Sequence, residues 1–501
     1  MANLTKFNIA ISCLAALGAF SYGFGFAIFV TSMGQPGFYT YFNLDPNSGY
    51  TANILGAISG LFNFGLAVGA LLQGWIADAF GRKKAFAFAS TCSLIGGALV
   101  AGSANVPMLV TVRMLQGLGL GILVALVPLY TTEVAPAHRR GMLSGLTAMN
   151  FALGYLVCAW VSVGTYYAKD VTLQWRLPLA LACLGPSIIL IGLPFLPETP
   201  RFLVMTGKSD EAWEVLRKIH HDPNDTEDLA AQAEYTQITR QLEHDKEQET
   251  GYINMFTNPS LRKRTLLAMF IQFAAQSTGV LAIANFLILI FGTLGMKDAM
   301  PLILYGVFAA VGNLSLLTSL FVVDRIGRRK LFLIGFPGLA VILLIEALLQ
   351  RQYLDSNNTA GLGACAAMFY LYVVIYNVCI DAPSFIWISE IFPTTTRSKG
   401  VGLGFFAYSV GAITYTTPSA LEFRNVKYNI FYLYMGLCLI STVVIYFFVA
   451  ETKGLPVEEI GALFGDEVVA HLTADGQGIV EDNSPKTETE YVEDVNEVKN
   501  V

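Results

Sequence analysis

The residues able to do chemistry in this chain are few, and their types exclude a great deal. Five histidines (His138, His220, His221, His244 and His471) sit in the polar parts of the sequence, without the clustering a metal site needs. Seven cysteines are scattered one or two per apolar stretch with no CxxC pair, which suits small packing residues. No HExxH, nucleophile elbow or Walker loop is present, so the motifs of a metalloprotease, a hydrolase and a self-contained ATP-driven pump are missing. No enzyme and no cofactor is implied. What remains is a set of acid–base motifs that occurs twice. Asp78, Gly81 and Arg82, followed by Lys83 and Lys84, return 246 residues later as Asp324, Gly327 and Arg328, followed by Arg329 and Lys330. Glu133, Pro136 and Arg140 return 257 residues later as Glu390, Pro393 and Arg397. Glu198 returns 253 residues later as Glu451, each followed by Thr. An Asp and an Arg four apart can pair at a helix end, and the Gly between them permits a tight turn. Matched acid and Arg sets in two halves can also pair across a mouth between them, holding it shut until the halves rock. The plainer alternative is that the basic clusters only anchor loops.

The elements that must position these groups follow from where charge is missing. The chain has 501 residues, 54% hydrophobic and 14% charged. Segments 197–264 and 451–501 hold 38 of the 68 charged side chains, and the other 382 residues hold 30. A soluble surface cannot be built from that supply. A bilayer core of about 30 Å needs about 20 apolar residues in a helix. Such stretches recur near 8–30, 52–77, 85–103, 107–130, 141–166 and 176–196, then 265–294, 299–323, 331–350, 362–388, 399–420 and 428–450. The first is too long for a signal h-region and lacks a basic leader. The expected fold is an all-α membrane protein of twelve transmembrane helices in two pseudo-symmetric six-helix bundles. The expected units are 1–196, a cytoplasmic linker 197–264 with short helices, 265–450, and a mostly disordered cytoplasmic tail 451–501. Ser209, Asp210, Glu211, Trp213 and Leu216 mark a capped amphipathic helix in the linker, and 229–242 a second. With both termini inside, the short inner connections carry twelve cations and the outer ones six, as the positive-inside rule requires. The Asn357 sequon then lies outside. The net charge of −6 comes from the tail, where ten acids face two lysines after Gly465. No basic patch is left for nucleic acid. The expected partners are a small-molecule substrate, protons and the bilayer, with the chain monomeric in the plasma membrane. Two parallel repeats around a central cavity make the architecture of an alternating-access carrier.

The motifs in combination resemble the sugar porter family of the major facilitator superfamily, in a style similar to its fungal members, over essentially all of 1–464. They are Gly74, Asp78, Gly81 and Arg82; Arg113, Gly117, Gly119 and Gly121; Pro128, Tyr130, Glu133 and Arg140; Pro197 to Phe202; Gln272, Gln276 and Gly279; Asp324 to Arg329; Glu390, Pro393 and Arg397; and Glu451 to Gly454. The resemblance implies the major facilitator fold and transmembrane movement of sugars or polyols, by facilitated diffusion or proton symport. It also implies an intracellular helical domain at 197–264. Two other functions stay open: a carrier or exporter of a less polar metabolite on the same scaffold, and a transporter-like sugar receptor.

Ionisable residues inside spans are costly and default to function. Arg113, Glu346 and Asp381 are the three. Proton-coupled relatives carry an Asp after a Tyr in the first span, expected to pair with the fourth-span Arg. Here Gly23 follows Tyr22, and Arg113 is left opposite it. Asp381 lies nine residues before Glu390, about 13.5 Å along a helix at 1.5 Å per residue, and so near mid-membrane. At helical spacing Tyr370, Asn377, Asp381 and Ser384 share one face. Either the usual proton site is gone and the chain is a uniporter, or Asp381 and Arg113 are the proton-coupling candidates, with Asp381 a substrate ligand or packing acid otherwise. Glu346 is expected to snorkel near its span end. The family resemblance places substrate contacts at Gln272, Gln276, Asn285, Phe385 and Tyr408, and Asn150, beside the aligned Ala148, and Asn377, on the face of Asp381, complete the expected set. Several positions that carry amides or Trp in the family are apolar or aromatic here, among them Leu281, Ala148 and Phe385. The expected cytoplasmic gate comprises Asp78, Arg82, Glu133, Arg140, Glu198, Asp324, Arg328, Glu390, Arg397 and Glu451.

Overall fold

A computed structural model describes residues 6–46, 48–134, 140–219, 228, 231–232, 235–236, 238–239, 251–354, 356, 358–393, 396–453, 460–461, 463–464, 470–472 and 479–481. Among these, the spans of the first half are Lys6–Ser32, Gly49–Phe80, Arg82–Ala101, Val106–Val134, Arg140–Tyr166 and a sixth, Val171–Leu181 continued by Leu184–Gly192. The second half runs Pro259–Ser277 continued by Val280–Thr293, then Met300–Ile326, Arg328–Tyr353, Thr359–Tyr376 continued to Glu390, Arg397–Asn425 and Ile430–Phe448. Eleven candidate spans are long and apolar enough to cross a membrane. The twelfth, Arg397–Asn425, is rich in Thr, Ser, Tyr and Gly. Its Ser409, Thr416 and Ser419 hydroxyls donate to carbonyls of their own helix, so their polarity is absorbed locally.

Three of the spans are interrupted. The seventh breaks at Gly279, whose φ of 84° is open to glycine and strained for other residues. The sixth breaks between Leu181 and Leu184. The tenth contains a π-helical turn, Asn377–Asp381, before it resumes at Ala382. The seventh also begins earlier than the hydropathy edge at 265. Asn258 caps it, accepting from the Ser260 and Leu261 N–H groups, and Pro259 follows at the first helical position. Arg264 lies buried in its first turns and donates to the Gly461 carbonyl at 3.2 Å.

The halves meet along three seams. The second and eleventh spans approach closely enough that a Cβ on Gly56 would strike the Thr417 carbonyl. The fifth and eighth are joined where Asn313 donates to the Ala152 carbonyl at 2.8 Å. Gly34, just past the end of the first span, packs against Ile288 and Leu302 of the seventh and eighth. Small residues permit these approaches, as is general between helices in lipid.

The linker helix Ser209–Ile219 is present, with Asp210 and Glu211 in its first turn and Arg217 and Lys218 in its last. Asn8 ties the first span to it by donating to the Ile219 carbonyl at 2.8 Å. The second expected helix, 229–242, falls largely outside the described residues, as do Asn357 and most of the tail. Within the tail, Ala470–Leu472 pairs antiparallel with Ile479–Glu481.

Candidate functional site

The duplicated motifs form two nodes of matching geometry. In the first, Arg82 grips Glu133 with two donors, at 2.9 and 3.0 Å, and lies 3.5 Å from Asp78. Glu198 accepts from the backbone N–H of Arg82 at 2.8 Å and of Lys83 at 3.2 Å. Those N–H groups are unsatisfied donors at the start of the third span, where an anion is favoured. In the second, Arg328 meets Glu390 at 2.8 Å and Asp324 at 2.9 Å. Glu451 accepts from the N–H of Arg328 at 2.9 Å and of Arg329 at 3.1 Å. Gly81 and Gly327 sit at φ 93° and 101° against the two carboxylates. A further matched pair carries no duplicated signal in the sequence, because its two members differ in type. Tyr130 donates to the Pro197 carbonyl and Trp387 to the Ala450 carbonyl, each just before the capping Glu.

The expectation that these acids and arginines pair across the mouth is corrected. Arg82 binds Asp78, Glu133 and Glu198 of its own half, and Arg328 binds Asp324, Glu390 and Glu451 of its own. The reason is geometric. Each Arg opens a span, so its side chain falls on the neighbouring span end and its N–H on the Glu that comes after the half's last span. The nodes therefore brace each half as a body. Across the halves, Lys399 acts on Asp78 and lies 5.9 Å from the Tyr252 ring. Arg397 starts the eleventh span and is partnered. The Arg140 side chain lies outside the described residues. Burial pushes the Glu198 carboxyl up from its ordinary value, and the N–H groups of Lys83, Thr199 and Arg82 draw it part way back.

The central residues gather at the break in the seventh span. Gln272 is fully buried and donates to Ser384 Oγ at 3.5 Å, leaving its Oε1 without a partner. One turn on, the buried Gln276 has both amide atoms unspent. The Tyr376 and Tyr408 hydroxyls approach it without closing a well-formed hydrogen bond. Phe385 stacks on Phe405 at 5.2 Å and lies 6.0 Å from Tyr408. Asp381 is half-buried, with Tyr22, Tyr155, Tyr376 and Tyr408 close to its carboxylate. Asn285 stands apart from this group, lining a narrow space with Phe26, Phe29, Asn63 and Arg113 between the halves. Asn150 is half-buried and partnered on the fifth span.

Three further expectations change. Tyr370, Asn377, Asp381 and Ser384 do not share a face. The π turn adds a residue, which swings the remainder of the span by about 100° at 3.6 residues per turn. Tyr370 and Asn377 turn to the eighth span, donating to the carbonyls of Leu304 at 2.9 Å and Gly312 at 3.0 Å. Asp381 and Ser384 turn toward Gln272 and the tyrosines. Asn377, whose amide also reaches Ser315 Oγ at 3.1 Å, is thus committed to packing. Arg113 is not stranded opposite Gly23. It donates to the Gly25 carbonyl at 3.2 Å and to Gln116 at 2.7 Å, with its guanidinium 4.1 Å over the Phe62 ring. Gly23 faces the fifth span instead, where an added Cβ would strike the Phe151 carbonyl. Glu346 does not snorkel. It is 1% exposed and accepts from Gln350 at 2.6 Å, because its turn of the ninth span faces the tenth.

A family model described as "Sugar (and other) transporter" matches residues 11–464. The MFS-type transporter criB of Aspergillus cristatus is 29% identical over 97% of this chain and 98% of its own. Sugar transport protein 10 of Arabidopsis thaliana is 30% identical over 81% of this chain and 79% of its own. A probable quinate permease of Aspergillus fumigatus is 29% identical over 93% and 90%. Among solved structures, the proton:xylose symporter XylE bound to 6-bromo-6-deoxy-D-glucose superposes with a TM-score of 0.77. That match is 23% identical and covers 92% of this chain and all of that one.

Proposed function

The chain belongs to the sugar (and other) transporter family of the major facilitator superfamily, and from that premise we propose that it carries a monosaccharide or polyol by alternating access. The observation that carries this reading is the Gln272–Gln276 pair. Two buried amides, one turn apart, keep unspent donors and acceptors beside a helix break at the centre of the fold. An amide donates and accepts at once, which matches the hydroxyls of a sugar. Burial of unspent groups costs about 1–3 kcal/mol each, and a hydroxyl-rich ligand removes that cost. The two braced nodes suit the mechanism, since each ties three spans and lets a half move as a body. The plasma membrane, cytoplasmic termini and a monomeric state belong to the same proposal.

A second reading, a carrier of a less polar metabolite, is favoured by the wall of Phe385, Phe405 and Tyr408 and by Leu281, where the family carries more polar groups. Uptake by purified protein in liposomes decides between them. Radiolabelled hexoses, pentoses and polyols are expected to enter, and Gln272→Ala with Gln276→Ala to abolish entry while the protein stays monodisperse. Unaltered uptake by the double variant, or no uptake of any of these compounds by the unmodified protein, refutes the sugar reading.

A further inference from the structure

We propose that Asp381 is the proton-binding group that couples this carrier to a pH gradient, placed in the tenth span where the two halves meet. The proposal rests on the sugar-carrier reading and adds its driving ion.

Three features support it. The first is position. Asp381 is the last residue of the π turn, and Pro383 comes two residues later. The extra residue of that turn takes Asp381 off the face that Asn377 commits to the eighth span and delivers it to the centre. Its own backbone carbonyl accepts from Ser384 Oγ at 2.8 Å, and Ser384 accepts from Gln272. The turn bearing Asp381 is therefore joined directly to a candidate substrate amide.

The second is the company it keeps. Tyr22 comes from the first span, Tyr155 from the fifth, Tyr376 from the tenth and Tyr408 from the eleventh. All are neutral, and among the described residues no cation stands near the carboxylate. A charged carboxylate inside a span with no counter-ion beside it is costly, and taking up a proton removes the cost.

The third is that the alternative location is closed. The Gly23 position is filled by the backbone of the fifth span, and Arg113 spends its charge on a carbonyl, an amide and an aromatic face. Coupling then arises at the seam. Tyr22 and Tyr408 meet across the halves beside Asp381. With a proton on the carboxylate the halves can close over it without water. With proton and substrate released to the other side, the empty carrier returns with water held at the charged carboxylate, and because bound substrate takes the place of that water, substrate crosses only together with a proton.

The test uses full-length protein in liposomes with radiolabelled D-glucose and D-xylose, comparing accumulation under an inward pH gradient with counterflow at equal pH. A one-unit gradient supports about tenfold accumulation for one proton per sugar. Unmodified protein is expected to approach that ratio. Asp381→Asn is expected to lose accumulation yet keep counterflow above empty liposomes, and Asp381→Glu to accumulate with a displaced pH profile. Accumulation by Asp381→Asn equal to the unmodified protein overturns the proposal, as does loss of counterflow in both variants. A second arm needs no substrate. Infrared difference spectra across a pH titration in lipid nanodiscs are expected to show a protonated-carboxyl band that Asp381→Asn removes, and identical spectra overturn the proposal. If neither sugar enters at all, the sugar reading falls while the infrared arm still decides the proton site.

Discussion

Replacing Gly23 by Ala adds one methyl group in the centre of the first half and is expected to cost more than its size suggests. A Cβ there would fall on the Phe151 carbonyl oxygen, and a Cβ on the facing Gly154 would fall on the Phe20 carbonyl oxygen. The two glycines thus form a reciprocal crossing of the first and fifth spans, backbone against backbone. No side-chain rotamer can absorb the clash, so the helices must separate along their length. Overpacking of this kind costs about 1–3 kcal/mol, and the upper end applies because main chain has to move. Ala recovers up to about 1 kcal/mol of helix propensity over Gly, which leaves a net loss of about 2 kcal/mol. For a half of this size unfolding as one body, that is a fall of about 4–8 °C in Tm. The internal control is Gly436→Ala, at a helix position where an added Cβ meets nothing within 4 Å, expected to match or exceed the unmodified protein. Thermal melting followed by fluorescence-detected size exclusion in detergent reads both. Gly23→Asp, which writes back the acid that proton-coupled relatives carry, is expected to be worse than Ala. If Gly23→Ala melts with Gly436→Ala, or if Gly23→Asp is stable, the close crossing and the exclusion of an acid from this position are both wrong.

Arg82→Ala leaves Glu133, with 8% of its side chain exposed, without its cation, and a loss of about 3–5 kcal/mol is expected in melting experiments. Arg328→Ala is expected to cost less, because Glu390 and Asp324 keep 23% and 73% of their side chains exposed and water can take over. Asn377→Ala removes donors from Gly312 and Ser315 and should lower stability by about 1–3 kcal/mol while the KM for sugar stays near that of the unmodified protein; a large rise in KM instead returns Asn377 to the substrate site. The raised Glu198 carboxyl makes the folded state hold its proton more tightly than the unfolded chain does. Its stability contribution is thus complete below the ordinary carboxylate range and lost as pH rises through the raised value. Glu198→Gln should flatten the Tm–pH slope over that window, and an unchanged slope counts against it.

The architecture is legible in the sequence because the duplication repeats types at fixed offsets, and type plus offset is what a sequence displays. Glu198 and Glu451 are legible as a pair; their task, capping the third and ninth spans, is not, since it depends on which span end lies beside the last turn of each half. The same limit hides which acids Arg82 and Arg328 meet. Arg82 and Glu133 are 51 residues apart in sequence and meet within one half, and nothing in their types says which half an acid will face. The tenth span shows a different limit. Spacing of 3 and 4 puts Tyr370, Asn377, Asp381 and Ser384 on one face only where the α-helix is uniform. A single π turn assigns two of them to packing and two to the centre. Pro383 is the visible sign that the helix does not stay regular there. Arg113 shows the reverse. Its missing acid partner is legible at Gly23, yet an arginine lacking an acid is not thereby free, because rings and carbonyls also satisfy it. Asp381 has no cation beside it among the described residues, and an anion, unlike a guanidinium, is not satisfied by a carbonyl or an aromatic face. That asymmetry between a cation and an anion inside the spans, more than the loss of the first-span acid, is what singles out Asp381 for the proposed proton site.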